Sequence, residues 1–137
     1  MNGLIKRLAV VLMALAGFIG APAYAAEAIV DLIDQPVATR ADGSKLTDAD
    51  LQQAIVEGCR RRQWVARVEA PGRVTATILV RGRHYAEITI TYSATSYSMK
   101  YADSRELDYN EQKRKIHRNY NKWVALLNGA IVQAMQK

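Results

Sequence analysis

A chain of 137 residues with a single cysteine, Cys59, can form no internal disulfide, so one hydrophobic core must hold it together. Its formal charge of +6 is a mild basic excess that suits an anionic envelope surface, and the export signal at its start argues against nucleic acid as a partner. No repeat or low-complexity tract divides it, and no glycine-rich phosphate loop or local metal motif marks it for a cofactor, so none is expected.

Residues 1–25 read as a secretory signal peptide. Lys6 and Arg7 form the basic start, an apolar run extends from Leu8 to Ile19, and Ala23-Tyr24-Ala25 supplies the small residues that signal peptidase needs. The run is short for a bilayer span and no second one is present, so the processed protein is not expected to be an integral membrane protein. No cysteine stands at the cleavage point for a lipid anchor. The style is bacterial and the expected location is the periplasm; retention of the segment as an anchor is the alternative. Loss of Lys6 and Arg7 leaves +4 on residues 26–137, a length that suits one modest domain.

Residues 26–46 read as a lead-in segment. Pro36 and Asp42-Gly43-Ser44 are turn signals, and Ala28 to Ile33 is apolar enough to add an edge strand. A single α+β domain then occupies 47–137. Thr47 is a good N-cap with Asp50 three residues on, and Leu46 and Leu51 are spaced as a hydrophobic staple. Leu51, Ala54, Ile55, Gly58 and Cys59 recur at helical spacing, which makes Cys59 a small buried hydrophobe. Arg60, Arg61 and Arg62 meet the negative end of the helix dipole, a role preferred over an anion site.

Four strand-like segments come next, at 64–70, 73–81, 84–93 and 96–102, with short breaks at Pro71-Gly72, Gly82 and Ala94-Thr95. Short breaks predict an antiparallel meander. A two-residue turn at Ala94-Thr95 sets Tyr92 opposite Tyr97, Ile90 opposite Met99 and Ile88 opposite Tyr101. At Gly72 and Gly82 the same turn would set apolar against polar residues, so loops of odd length or with a bulge are expected there. The core face is then Trp64, Ala66, Val68, Val74, Ala76, Ile78, Val80, Ala86, Ile88, Ile90, Tyr92, Tyr97, Met99 and Tyr101.

A second helix is expected from Asp108 as cap, with Glu111 three on, through the stripe Ile116, Tyr120, Trp123, Leu127, Ala130 or Ile131, and Ala134. Gly129 is its weak interior position. Lys113, Arg114, Lys115, Arg118 and Lys122 fall mostly off the stripe, as a solvated basic face. The expected assembly is a two-layer α+β sandwich: helix, four-stranded antiparallel meander, helix, with both helices on the apolar face.

The opposite face carries Thr75, Thr77, Tyr85, Thr89, Thr91 and Lys100 among other polar residues. A sheet face open to water explains this, and a surface for glycan, an acidic partner or a second copy is the sharper alternative. The topology suggests a second cluster. His84 opens one strand, the chain beyond Tyr101 runs back towards it, and His117 lies two turns into the expected helix. His84, Asp103, Ser104, Tyr109 and His117 would meet at one end. Two histidines and an aspartate could hold zinc, but no H-E-x-x-H spacing is present, and a hydrogen-bonded structural histidine is commoner. No G-x-S-x-G elbow and no paired carboxylates are present either. The burial predicted for Cys59 disfavours it as a nucleophile.

The stretches "PGRVTATILVRGRHYAEITITY", "YSMKYADSRELDY" and "IHRNYNKWVALL", with Trp64 before them, resemble a family of small exported bacterial proteins and lipoproteins. The pattern is Arg-x-x-His (Arg81, His84), strands ending in tyrosine, Tyr-x-x-Ser (Tyr101, Ser104) and Ile-His-x-x-Tyr-Asn-x-Trp (Ile116 to Trp123). The resemblance carries no activity and supplies no catalytic residues, but it marks both histidines. Lipid anchoring, found in some such proteins, lacks its cysteine here. The expected function is a non-enzymatic periplasmic binding or accessory domain for an envelope component or a protein, using Arg81, His84, Tyr101, Ser104, Tyr109, His117 and Asn121. The alternatives are a small metal- or ligand-dependent enzyme using His84 and His117, and an inhibitor of an envelope hydrolase presenting a turn such as Pro71-Gly72 or Gly82-Arg83. Homodimerisation stays open.

Overall fold

The structure, a computed structural model, describes residues 26–137, so the expected signal peptide lies outside the described residues. It is an α+β fold with two helices, a five-stranded antiparallel sheet and a two-stranded one. The elements run β1 (Ala26–Ala28), β2 (Leu32–Pro36), α1 (Asp48–Arg61), β3 (Val65–Ala70), β4 (Arg73–Val80), β5 (His84–Tyr92), β6 (Ser96–Arg105), β7 (Lys115–His117) and α2 (Asn119–Met135).

Helix α1 starts as its residues dictate. The Thr47 hydroxyl accepts from Asp50 N–H at 3.1 Å, and the Asp50 carboxylate accepts from Thr47 N–H at 2.9 Å, a complete capping box. Leu51, Ala54, Ile55, Gly58 and Cys59 form its buried side. In its last turns Glu57 accepts from Arg60 and Arg61, which hold its carboxyl down at about 2.

The meander β3–β4–β5–β6 is present with the expected register. Tyr92 faces Tyr97, Ile90 faces Met99 and Ile88 faces Tyr101. The turn at Gly82 is odd in length, whereas Pro71-Gly72 is a two-residue turn between paired Ala70 and Arg73, and a bulge rather than an odd loop restores the match there. Val80 pairs with His84 across three residues, with Arg81 and Gly82 both left-handed at φ +55 and +70. Gly72 is left-handed too, and a register shift between Val68 and Ala70 marks a bulge.

Several expectations are corrected. The sheet has five strands, not four, because β2 adds antiparallel to the free edge of β6. Val68 is 43 % exposed, because it sits on the edge strand β3 beside the bulge. The last helix begins at Asn119, not near Asp108. Asp108 itself is left-handed (φ +52), as are Glu106 and Arg114, so the backbone cannot wind from there. Ile116 is fully buried but belongs to β7, which pairs with β1.

One hydrophobic core unites α1, α2 and the inward residues of β4, β5 and β6; Ile55, Cys59, Val74, Ile88, Ile90, Leu127 and Ile131 are all fully buried in it. Burying side chains of this size contributes roughly 1.5–3 kcal/mol each before entropy is subtracted. The helices meet closely at Gly58, where a side-chain carbon would lie 2.5 Å from Ile131 Cγ1. No helix among the described residues is long and apolar enough to cross a membrane.

Candidate functional site

The seven residues assigned to binding separate into three places. Arg81, His84 and His117 line one cleft of about 520 Å³. The three-residue turn after β4 brings Arg81 and Arg83 to its rim, and β5 opens with His84 on the inward side, opposite Val80. The chain leaving β6 supplies Glu106, Leu107 and Asp108, and the β7–α2 junction supplies His117, Arg118 and Asn119, with Trp123 one turn further on. Leu107 is buried and its carbonyl accepts from His117 N–H at 2.9 Å, which fastens these two segments together.

Hydrogen bonds orient both imidazoles. His84 Nδ1 lies 2.8 Å from the Glu106 carbonyl, which can only accept; Nδ1 therefore carries the proton, and neutral His84 offers a lone pair at Nε2. His117 Nδ1 accepts from Asn119 N–H at 3.2 Å, which places the proton of its neutral form on Nε2. At the rim, Arg83 pairs with Glu106 at 3.3 Å. Helix α2 starts beside the cleft with no side-chain cap and no acidic residue in its first turn. Guanidinium groups and imidazoles in one hollow can hold carboxylate or phosphate oxygens. Cys59 takes no part: burial pushes its thiol up to about 12, which leaves it protonated and inert.

Tyr101, Ser104 and Tyr109 lie elsewhere. The Tyr101 and Ser104 hydroxyls are 2.7 Å apart, Tyr109 stacks on Tyr101 at 4.4 Å, and buried Tyr120 meets Tyr101 edge-on at 5.7 Å. Burial pushes the Tyr101 phenol above its ordinary range. Asp31 accepts from Tyr101 N–H and pairs with Arg114, closing the N-terminal segment over this stack. Asn121 is a clamp on that same segment. It donates to the Ala28 carbonyl at 2.9 Å and accepts from Val30 N–H at 3.1 Å.

Asp103 and Ser104 do not reach His84 as the topology suggested. A bulge between the Ile88 and Glu87 pairings turns Asp103 to the outer face opposite Glu87 and Ser104 to the inner face opposite Ala86; Glu106 is the residue that reaches His84. Sequence reasoning missed Asp108, Arg118 and Asn119 as cleft residues because the chain from Asp108 on read as helix, and missed Arg83 and Glu106 because turn and chain-exit residues carry no periodic signal. The doubled arginine around Gly82 is the signal that could have found Arg83.

On the outer face of the sheet, Thr75, Thr89 and Lys100 align across three strands, Thr91 faces Ser98, and Tyr85 faces Leu79. The Tyr85 hydroxyl donates to Glu87, and Arg105 lies 4.3 Å from the centre of its ring. Ser98 is buried, because its hydroxyl accepts from Asp34 N–H of β2 at 3.0 Å.

Among the described residues no group of three or more His, Cys, Asp and Glu side chains is placed to hold a metal ion. Comparison with protein-family models, curated proteins and solved structures gave no match.

Proposed function

We propose that the chain is a non-enzymatic, exported binding domain of the bacterial envelope whose ligand enters the cleft of Arg81, His84 and His117. The fold is taken as a two-layer sandwich with both helices over the apolar face of the sheet, which leaves the end of the sheet as a groove between layers. The observation that carries the reading is the cleft itself. Two chain segments, Arg81 to His84 and His117 to Arg118, supply arginine and imidazole groups to one hollow, and a third, Glu106 to Asp108, ties them together through the His84–Glu106 and His117–Leu107 hydrogen bonds. Tyr101, Ser104, Tyr109 and Asn121 are assigned to holding the N-terminal segment rather than to the ligand.

The test is a ¹H–¹⁵N spectrum of the exported protein titrated with a detergent-free extract of the bacterial envelope. Amides of Arg83, Leu107 and Asn119 are expected to shift together. Shifts confined to the Pro71-Gly72 end, or none at all, would remove the cleft from consideration. His84→Ala and His117→Ala separate a ligand role from a structural one. They should abolish the shifts in proteins that remain folded, at a cost in stability of about 1 kcal/mol each for the lost imidazole hydrogen bonds.

A further inference from the structure

The cleft is the middle one of three hollows in a row, at the end of the sheet where β3 and β5 begin and β4 and β6 finish. On one side it shares Trp123 with a hollow lined by Arg61, Arg62, Trp64, Ile78 and Leu126. On the other it shares Arg83 and Glu106 with a groove of Leu79, Tyr85 and Arg105 on the outer face.

The charges at this pole are lopsided. Arg61, Arg62, Arg81, Arg83, Arg105 and Arg118 line the three hollows against two carboxylates, Glu106 and Asp108. In the rest of residues 26–137, acidic and basic residues are equal in number, eleven of each. The whole net charge of +4 therefore sits at one pole. Arg61 is paired with Glu57 and Arg83 with Glu106, while Arg62, Arg81 and Arg118 make no salt bridge among the described residues. Apolar side chains stand out of the same pole: Val65 is 69 % exposed, Leu79 60 % and Leu126 52 %.

We propose that this arginine-rich pole docks on an anionic phospholipid surface. A single small anion would occupy one hollow. Cations spread over three adjoining hollows suit a plane of phosphate headgroups, where several arginines are engaged at once and the aliphatic side chains between them enter the interface. The long arginine stems can lie along apolar surface while their heads stay with phosphate. This inference rests on the binding reading above and names the chemistry of its ligand.

Flotation of the exported protein with vesicles tests it. Vesicles of phosphatidylglycerol mixed with phosphatidylcholine are compared with phosphatidylcholine alone. Binding is expected to the anionic vesicles only, and to fall as added salt shortens the Debye length from about 10 Å towards about 3 Å. The triple variant Arg81→Gln/Arg83→Gln/Arg118→Gln should lose on the order of tenfold or more in partitioning. Lys113→Gln/Lys115→Gln/Lys122→Gln removes the same charge elsewhere and should lose far less. Near-ultraviolet circular dichroism checks that both variants keep their packing. Equal losses in the two variants, equal binding to neutral vesicles, or no flotation would each overturn the proposal. If flotation fails while the envelope extract still shifts Arg83, Leu107 and Asn119, the lipid assignment falls and the cleft remains a binding site.

Discussion

Helix α1 begins where Thr47 and Asp50 exchange hydrogen bonds, whereas α2 begins at Asn119 behind Arg118, which makes no side-chain cap, although Asp108 and Glu111 offer the same spacing as Thr47 and Asp50. The difference lies in the residues C-terminal to each signature. After Asp50 the apolar stripe starts at once with Leu51, Ala54 and Ile55, all buried. After Glu111 come Gln112, Lys113, Arg114 and Lys115, which have nothing to bury. A capping box satisfies two donors, but it does not offset the cost of ordering a turn that packs against nothing. The chain instead turns through left-handed residues at Asp108 and Arg114, and winds only once Tyr120, Val124 and Leu127 can enter the core.

The sharpest way to break this comparison is at the place where the two helices touch. Gly58→Ala puts a methyl carbon 2.5 Å from Ile131 Cγ1 and 2.8 Å from the Ile131 backbone, so one helix must move. A loss of roughly 1–3 kcal/mol in urea unfolding is expected; an unchanged midpoint would mean that the helices do not meet there. The cap of α1 comes next. Thr47→Ala should cost about 1 kcal/mol, because Asp50 N–H loses its acceptor. Within α2 the sign reverses. Gly129 is in the helix with open space around a would-be methyl group, so Gly129→Ala should raise stability by up to about 1 kcal/mol. A destabilised Gly129→Ala would show that α2 is not helical there.

The smallest effect is electrostatic. Arg60 and Arg61 hold the Glu57 carboxyl at about 2, below its ordinary 4.5. The folded pKa is the depressed one, so this contribution is complete above pH 4.5 and is lost as pH falls towards 2. The wild type should therefore lose more helical signal than Glu57→Gln on acidification through that window. Parallel acid titrations of the two proteins would count against the pairing.

The sheet was legible because its information is local. Register across Ala94-Thr95 comes from alternation on both sides of a short turn, and the odd loop at Gly82 and the bulge beside Gly72 come from the same parity argument. Cys59 and the α1 stripe are set by helical spacing. The hidden parts depend on distant pairing or on backbone shape. The pairing of β1 with β7 joins three residues near the start of the described chain to three just before α2, too few to leave a pattern. Left-handed Glu106 and Asp108 are not glycines, so nothing in the sequence announces the turn that carries them to His84. The candidate site was accordingly legible in part. His84 and His117 share the cleft with Arg81, while the bulge in the β5–β6 pairing and the later start of α2 leave Tyr101, Ser104, Tyr109 and Asn121 beside the N-terminal segment.

The proposed function requires that the cleft of Arg81, His84 and His117 hold a ligand. Native mass spectrometry of the protein purified from the cells that express it, without added metal or ligand, tests that most directly. Extra mass on the wild type that disappears from a folded His84→Ala/His117→Ala double variant is the predicted result. Extra mass that survives the double substitution, or a bare chain in both proteins, would contradict it.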